Sequence, residues 1–137
     1  MQNKYQIALP GVTDSLPAIL DFIMESSQKV QLTEDDALHI RLAVEEVCVN
    51  VIEHGYKGMD PGTICLTFQH GRRQAVIRIT DFGHAFEPVE PPLADPNTLL
   101  ESEDHGGFGL HLIHNSVDAV NYEATESGNT LTLIKRL

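Results

Sequence analysis

The chain has 137 residues, with 20 acids against 9 Lys plus Arg and a formal net charge of −11 at pH 7. That length fits one domain, residues 1–137, able to bury about two-thirds of its unfolded surface. A 42% hydrophobic composition argues against disorder, and the negative field argues against direct nucleic-acid or membrane-surface binding while leaving a basic protein partner open.

Tyr5 to Leu9 alternates and predicts a short strand stopped by Pro10-Gly11. Thr13-Asp14-Ser15 offers caps for a helix in which Leu16, Ile19, Leu20 and Ile23 recur at helical spacing, running to about Lys29. Thr33, with Asp36 in the capping-box position, opens a second, central helix expected to reach about His54 and to end on Gly55 as an αL cap. Thr63 to Gln69 and Gln74 to Asp81 predict an antiparallel hairpin around His70-Gly71-Arg72-Arg73. From Gly83 to about His105, Pro88, Pro91, Pro92 and Pro96 mark a long loop, a feature usually tied to function. Residues 110–118 predict a short helix, and Ala119 to Thr125 with Asn129 to Lys135 a last hairpin turning at Ser127-Gly128. This order makes an α+β fold, a two-layer sandwich with a mostly antiparallel mixed sheet and helices on one face.

Cys48 and Cys65 sit in apolar runs outside any CxxC pair, so buried reduced thiols are expected rather than a zinc site. The N-terminus lacks a basic-then-apolar signal pattern, and no apolar run approaches the roughly 18 residues of a span, so a soluble cytoplasmic protein is expected. The 7 histidines show no HExxH or similar spacing, and His54 lies near the face that carries Glu46 and Asn50.

Three places break the periodicity. Glu46 and Asn50 stack at i, i+4 spacing among Leu42, Ala43, Val47 and Val49, while Glu34, Arg41 and Glu45 mark the solvent strip. Asp81 follows Ile77 and Ile79 on the core face of its strand and precedes Phe82-Gly83. His105-Gly106-Gly107-Phe108-Gly109-Leu110 enters a helix with free amides suited to an anion. Each also has a structural reading: a backbone cap, a turn initiator and a hinge. The glycine turn is neither a P-loop nor a dinucleotide fingerprint, lacking the Lys-Ser/Thr of one and the leading strand of the other.

Read in order, Glu46-x-x-x-Asn50, Asp81-x-Gly83 and Gly107-x-Gly109-Leu110 resemble the gyrase and histidine-kinase type of ATP-binding domain, the Bergerat fold. The chain is most similar to the anti-sigma factor serine/threonine kinases of bacterial partner switches, through residues 41–46, His54-Gly55-Tyr56, Asp81-Phe82-Gly83, residues 106–110 and residues 128–137. The resemblance implies ATP and Mg²⁺ as cofactors. It makes Asn50 the Mg²⁺ ligand, Glu46 the general base and Asp81 the acceptor of the adenine amino proton, with Gly83 admitting the base. Gly107 and Gly109 would offer amides to the phosphates, His54 and Leu110 would complete the nucleotide-binding set, and residues 84–106 would form a short lid. Thr130 would sit near adenine through water. His105 stands where some members carry an Arg near the γ-phosphate, and Asn129 where the family often has Thr.

The implied function is a kinase that phosphorylates a small antagonist (anti-anti-sigma) protein on Ser or Thr and sequesters a sigma factor or other regulator, as a homodimer. The alternative is a non-catalytic, ATP-gated protein-binding module; Glu46 favours the enzyme and His105 the module. A detached histidine-kinase ATP domain fits less well, since such kinases need a dimerisation helix bearing the phosphoacceptor His.

Overall fold

The computed structural model describes residues 3–85 and 113–137. Five strands form one sheet: β1 (Asn3–Pro10), β2 (Thr63–His70), β3 (Gln74–Asp81), β4 (Ala119–Thr125) and β5 (Gly128–Arg136). Their order is β1-β2-β3-β5-β4, and every neighbouring pair is antiparallel. Burial alternates along the inner strands, so each has one face toward the helices and one toward solvent. On β3 the buried set is Ala75, Ile77, Ile79 and Asp81, while Arg78 is exposed.

Helix α1 (Leu16–Lys29) brings Ile19 and Ile23 to that face, and α2 (Glu34–Asn50) brings Ile40, Val44, Val47 and Cys48. They close over Ile64, Leu66, Phe68, Ile77, Ile79, Leu131 and Leu133 as one core. The α2 start is as expected: Thr33 Oγ1 accepts the Asp36 N–H at 3.1 Å, and Glu34, Asp35 and Asp36 sit at the positive end of the helix dipole. The α1 start differs. A 3-10 turn over Thr13–Ser15 leads into the helix, and neither flanking position caps it with a side chain. Pro17, in the first turn, needs no N–H partner there.

The end of the central helix also differs. The α-helix stops at Asn50, and Val51–Gly55 continues as a single π turn closed by Tyr56 N–H to Val51 O at 3.0 Å. Gly55 is not an αL cap; the positive-φ glycines among the described residues are Gly58 and Gly128. Of the short helix expected at 110–118, residues 113–116 are helical; its start, and most of the long loop, lie outside the described residues.

Candidate functional site

The site begins where the apolar face of β3 ends in a charge. Asp81 is 6% exposed, and its Oδ1 accepts the Gly83 N–H at 2.9 Å and Asn129 Nδ2 at 3.1 Å. The first bond is the turn-initiating role open to any Asp. The second comes from β5, where Asn129 lies directly opposite Asp81 in register. Asn129, 4% exposed, also donates from Nδ2 to Gly83 O at 3.0 Å. Both bonds fall on Asp81 Oδ1; Oδ2 takes none among the described residues.

The backbone around Gly83 is built for close approach. A Cβ on Gly83 would collide with the carbonyl of Gly55, and His84 N–H donates to that same carbonyl at 2.6 Å. Tyr56, buried just beyond the π turn, donates its hydroxyl to Thr63 O at 2.7 Å and accepts the Phe82 N–H at 3.0 Å. Burial raises the phenol pKa, outweighing the Phe82 bond, so the hydroxyl stays a donor. One side chain thus ties the end of the central helix to the start of β2 and the end of β3. The π turn swings Tyr56 into this place; such turns recur at functional sites.

The α2 end supplies the other polar groups. Asn50, 6% exposed, makes no side-chain hydrogen bond among the described residues, although its amide is poised in an otherwise apolar setting. Asn50, Asp81 and His84 line one cleft, walled by Val47, Val51, Ile79, Ile113 and Leu131, with about 380 Å³ of empty space that includes its mouth. Segments distant in sequence, the end of α2 and the end of β3, therefore converge on one cleft. An Asn amide oxygen is a hard donor of the kind Mg²⁺ accepts alongside phosphate oxygens. Among the described residues no group of three His, Cys, Asp or Glu could hold a metal by itself.

Glu46 lies one turn before Asn50 and is half-buried. Burial raises its pKa above the ordinary Glu value, and the nearby charges of Glu45 and Glu53 raise it further. The surroundings are more open than the apolar pattern implies, because Leu42 is 42% exposed even though Ala43, Val44, Val47 and Cys48 are buried. Cys48, behind Asn50 in the core, is pushed up to about 12 by burial and then by Asp81, an inert thiol. Cys65 is only half-buried, since the pleat turns it away from Ile64 and Leu66 onto the other sheet face.

Thr130 is a correction. The pleat that sends Asn129 and Leu131 inward sends Thr130 outward, where its hydroxyl meets that of Thr80 at 3.0 Å. Asn129 holds the inward-facing position instead, bonded to Asp81, and the Asn129-x-Leu131-x-Leu133 alternation was the available signal. His54 is exposed on the π turn and does not line the cleft. His105, Gly107, Gly109 and Leu110 lie outside the described residues. Tyr56, His84 and the bonding of Asn129 are the elements that sequence reasoning did not assign.

Residues 9–135 match the family described as "Histidine kinase-like ATPase domain". A "Serine/threonine-protein kinase BtrW" of Bordetella bronchiseptica is 32% identical over 97 residues, covering 69% of this chain and 66% of that protein. An "Anti-sigma F factor" of Anoxybacillus flavithermus is 29% identical over 106 residues, covering 77% and 73%. A solved structure of the RsbU and RsbW domains of Rv1364c from Mycobacterium tuberculosis superposes with a TM-score of 0.69 at 18% identity, covering 98% of this chain and 32% of that one; it is alike in fold.

Proposed function

The chain belongs to the histidine kinase-like ATPase domain family, and from that premise we propose that it is an ATP-dependent protein serine/threonine kinase of a partner switch. Its substrate is a small antagonist protein, and its second partner is a sigma factor or similar regulator, in keeping with the kinase and anti-sigma names of its relatives. The observation that carries this reading is the convergence of Asn50 and Asp81 on one cleft. Asp81 Oδ2 accepts the adenine amino proton at one end. Asn50 offers its amide oxygen to Mg²⁺ at the other, and the cation would neutralise phosphate charge there.

Glu46, a turn away, takes the proton of the partner's hydroxyl as that oxygen bonds to the γ-phosphorus and ADP departs. A carboxyl held above the ordinary range is a stronger base for this work. By the family resemblance, Gly107 and Gly109 would offer amides to the phosphates and His105 would take the place of the Arg that some members carry near the γ-phosphate. The protein acts as a homodimer in the cytoplasm; among the described residues no helix is long and apolar enough to cross a membrane. The test is single-turnover transfer from γ-labelled ATP to a co-encoded antagonist domain. Serine or threonine phosphorylation supports the kinase. Tight ATP binding with no transfer assigns instead a nucleotide-gated binding module.

A further inference from the structure

The charge of this chain is unevenly spread. The turn between β2 and β3 carries Arg72 and Arg73, both exposed. Burial of Ala75, Ile77 and Ile79 turns Gln74, Val76 and Arg78 to the outer face of the sheet, away from the helices. Register adds two cations to that face: Arg136 lies opposite Gln74, and Lys4 lies opposite Gln69, which itself pairs with Val76. No acid occurs in β1, β2 or β5, and the one in β3, Asp81, is buried at the far end of its strand. Two carboxylates border this face: Glu123, opposite Thr130 on the edge strand β4, and Asp118, whose Oδ2 accepts the Arg136 N–H at 2.6 Å. The acids of the first α2 turn belong to the helix layer on the other side of the sheet. Among the described residues no ion pair holds Arg72, Arg73 or Arg78. Arg78 donates from Nη1 to a neutral partner, Gln69 Oε1, at 3.2 Å. An open groove of about 710 Å³, mouth included, is lined by these three arginines with Gln69, Gln74 and Val76.

We propose that this groove docks a short acidic segment of a partner protein. Three guanidinium groups on one groove offer planar forks that match carboxylates, and the amides of Gln69 and Gln74 flank them. The occupant must be short because the chain as a whole carries −11. A nucleic-acid backbone or an anionic bilayer would extend past the arginines into a repelling field, whereas an acidic protein segment can end where they end. A second copy pairing outer face to outer face would set arginines against arginines. The proposal does not rest on the nucleotide reading of the cleft. From Gln74 to Asp81 the strand spans about 24 Å at ~3.4 Å per residue, several times the ~8 Å over which physiological salt screens charge. A partner held at the turn therefore leaves the cleft open.

The experiment titrates the isotope-labelled full chain with a hexapeptide of alternating Asp and Glu and follows backbone amides by two-dimensional NMR. A Gly-Ser hexapeptide, oligothymidylate and phosphatidylserine vesicles serve as competing probes. The acidic peptide should give saturable shifts at Gly71, Arg72, Arg73, Gln74 and Arg78, with Asp81 and Gly83 unmoved. Raising salt from about 0.1 M to about 1 M, which shortens the screening length from ~10 Å to ~3 Å, should weaken binding about tenfold. Arg72→Gln with Arg73→Gln should weaken it about tenfold, and Arg78→Gln several-fold, at an unchanged melting temperature, since all three side chains are exposed. Shifts spread over the whole chain, or equal binding of the Gly-Ser peptide, overturn the proposal. So does tighter binding of oligothymidylate or of the vesicles, which would assign the surface to a phosphate polyanion or a membrane. A dimer in sedimentation that Arg72→Gln with Arg73→Gln dissociates would assign it to a second copy and overturn the proposal as well.

Discussion

At the β3–β5 end of the cleft, Asp81, Asn129 and Gly83 answer one another's hydrogen bonds and the Tyr56 hydroxyl holds the Phe82 N–H, so this corner is satisfied from within the protein. At the α2 end, Asn50 makes no side-chain bond among the described residues, and Glu46 sits half-buried beside two other carboxylates. On the proposed nucleotide reading, one end is finished before a ligand arrives and the other is completed by what binds. Recognition of a base needs fixed acceptors, whereas phosphoryl transfer needs groups that meet charge only when it is present. The difference predicts a dissociation. Changes at the β3–β5 end should cost stability and affinity together, and changes on α2 should cost function alone.

The largest effect is expected from Glu46→Gln. Removing the basic oxygen should slow phosphotransfer by ~10²–10⁴-fold in single-turnover assays with ATP binding retained. Its folded-state pKa is raised, so ionised Glu46 opposes folding, a cost that grows as pH rises from the unfolded value through the folded one. Melting curves at pH 7 should therefore show the Gln variant no less stable than wild type. The acid limb of the wild-type pH–rate profile should lie above the ordinary Glu value; a variant that transfers phosphate at the wild-type rate would remove Glu46 as base.

Asp81→Asn comes next. The new amide can keep its oxygen toward Gly83 and Asn129, but then turns a donor toward the adenine amino group. ADP affinity measured by calorimetry should fall by about tenfold to a hundredfold, the loss of a charge-assisted bond plus a donor–donor clash.

Tyr56→Phe should cost about 1–3 kcal/mol in urea unfolding, because Thr63 O and Phe82 N–H both lose their partner. Nucleotide affinity should weaken with it, since the Phe82-Gly83 backbone loosens. Asn50→Ala is the sharpest contrast. It breaks no side-chain hydrogen bond among the described residues, so stability should change by less than about 1 kcal/mol, while Mg²⁺-dependent ATP binding is lost. Equal destabilisation by Tyr56→Phe and Asn50→Ala would erase the distinction between the two ends.

What the sequence made legible was periodic. Alternation from Ala75 to Asp81 placed the carboxylate on the core face, and i, i+4 spacing placed Asn50 beside Glu46. Strand limits came within a residue or two of those observed, because Pro, Gly and turn residues punctuate them. What stayed hidden depended on partners distant along the chain. The hydroxyl of Tyr56 is answered by Thr63 and Phe82, and nothing local to Tyr56 announces either. The π turn over Val51–Gly55 is closed by the Tyr56 N–H to Val51 O bond, and helix signals alone extended an α-helix through it. Thr130 shows the opposite error: the family pattern pointed to a threonine, but the pleat gives the inward place to Asn129.

The sheet order also governs how the site comes into being. The β2–β3 and β4–β5 hairpins close short loops, but the β3–β5 seam joins Asp81 to Asn129 across 48 positions of chain. Loop-closure entropy delays such a seam, so the Asp81–Asn129 corner is expected to zip after both hairpins have formed. Stopped-flow chevrons for Asn129→Ala should then show faster unfolding with nearly unchanged refolding, the signature of contacts made after the rate-limiting barrier. On the proposed nucleotide reading, a newly made chain would complete both hairpins before it could hold a base at all.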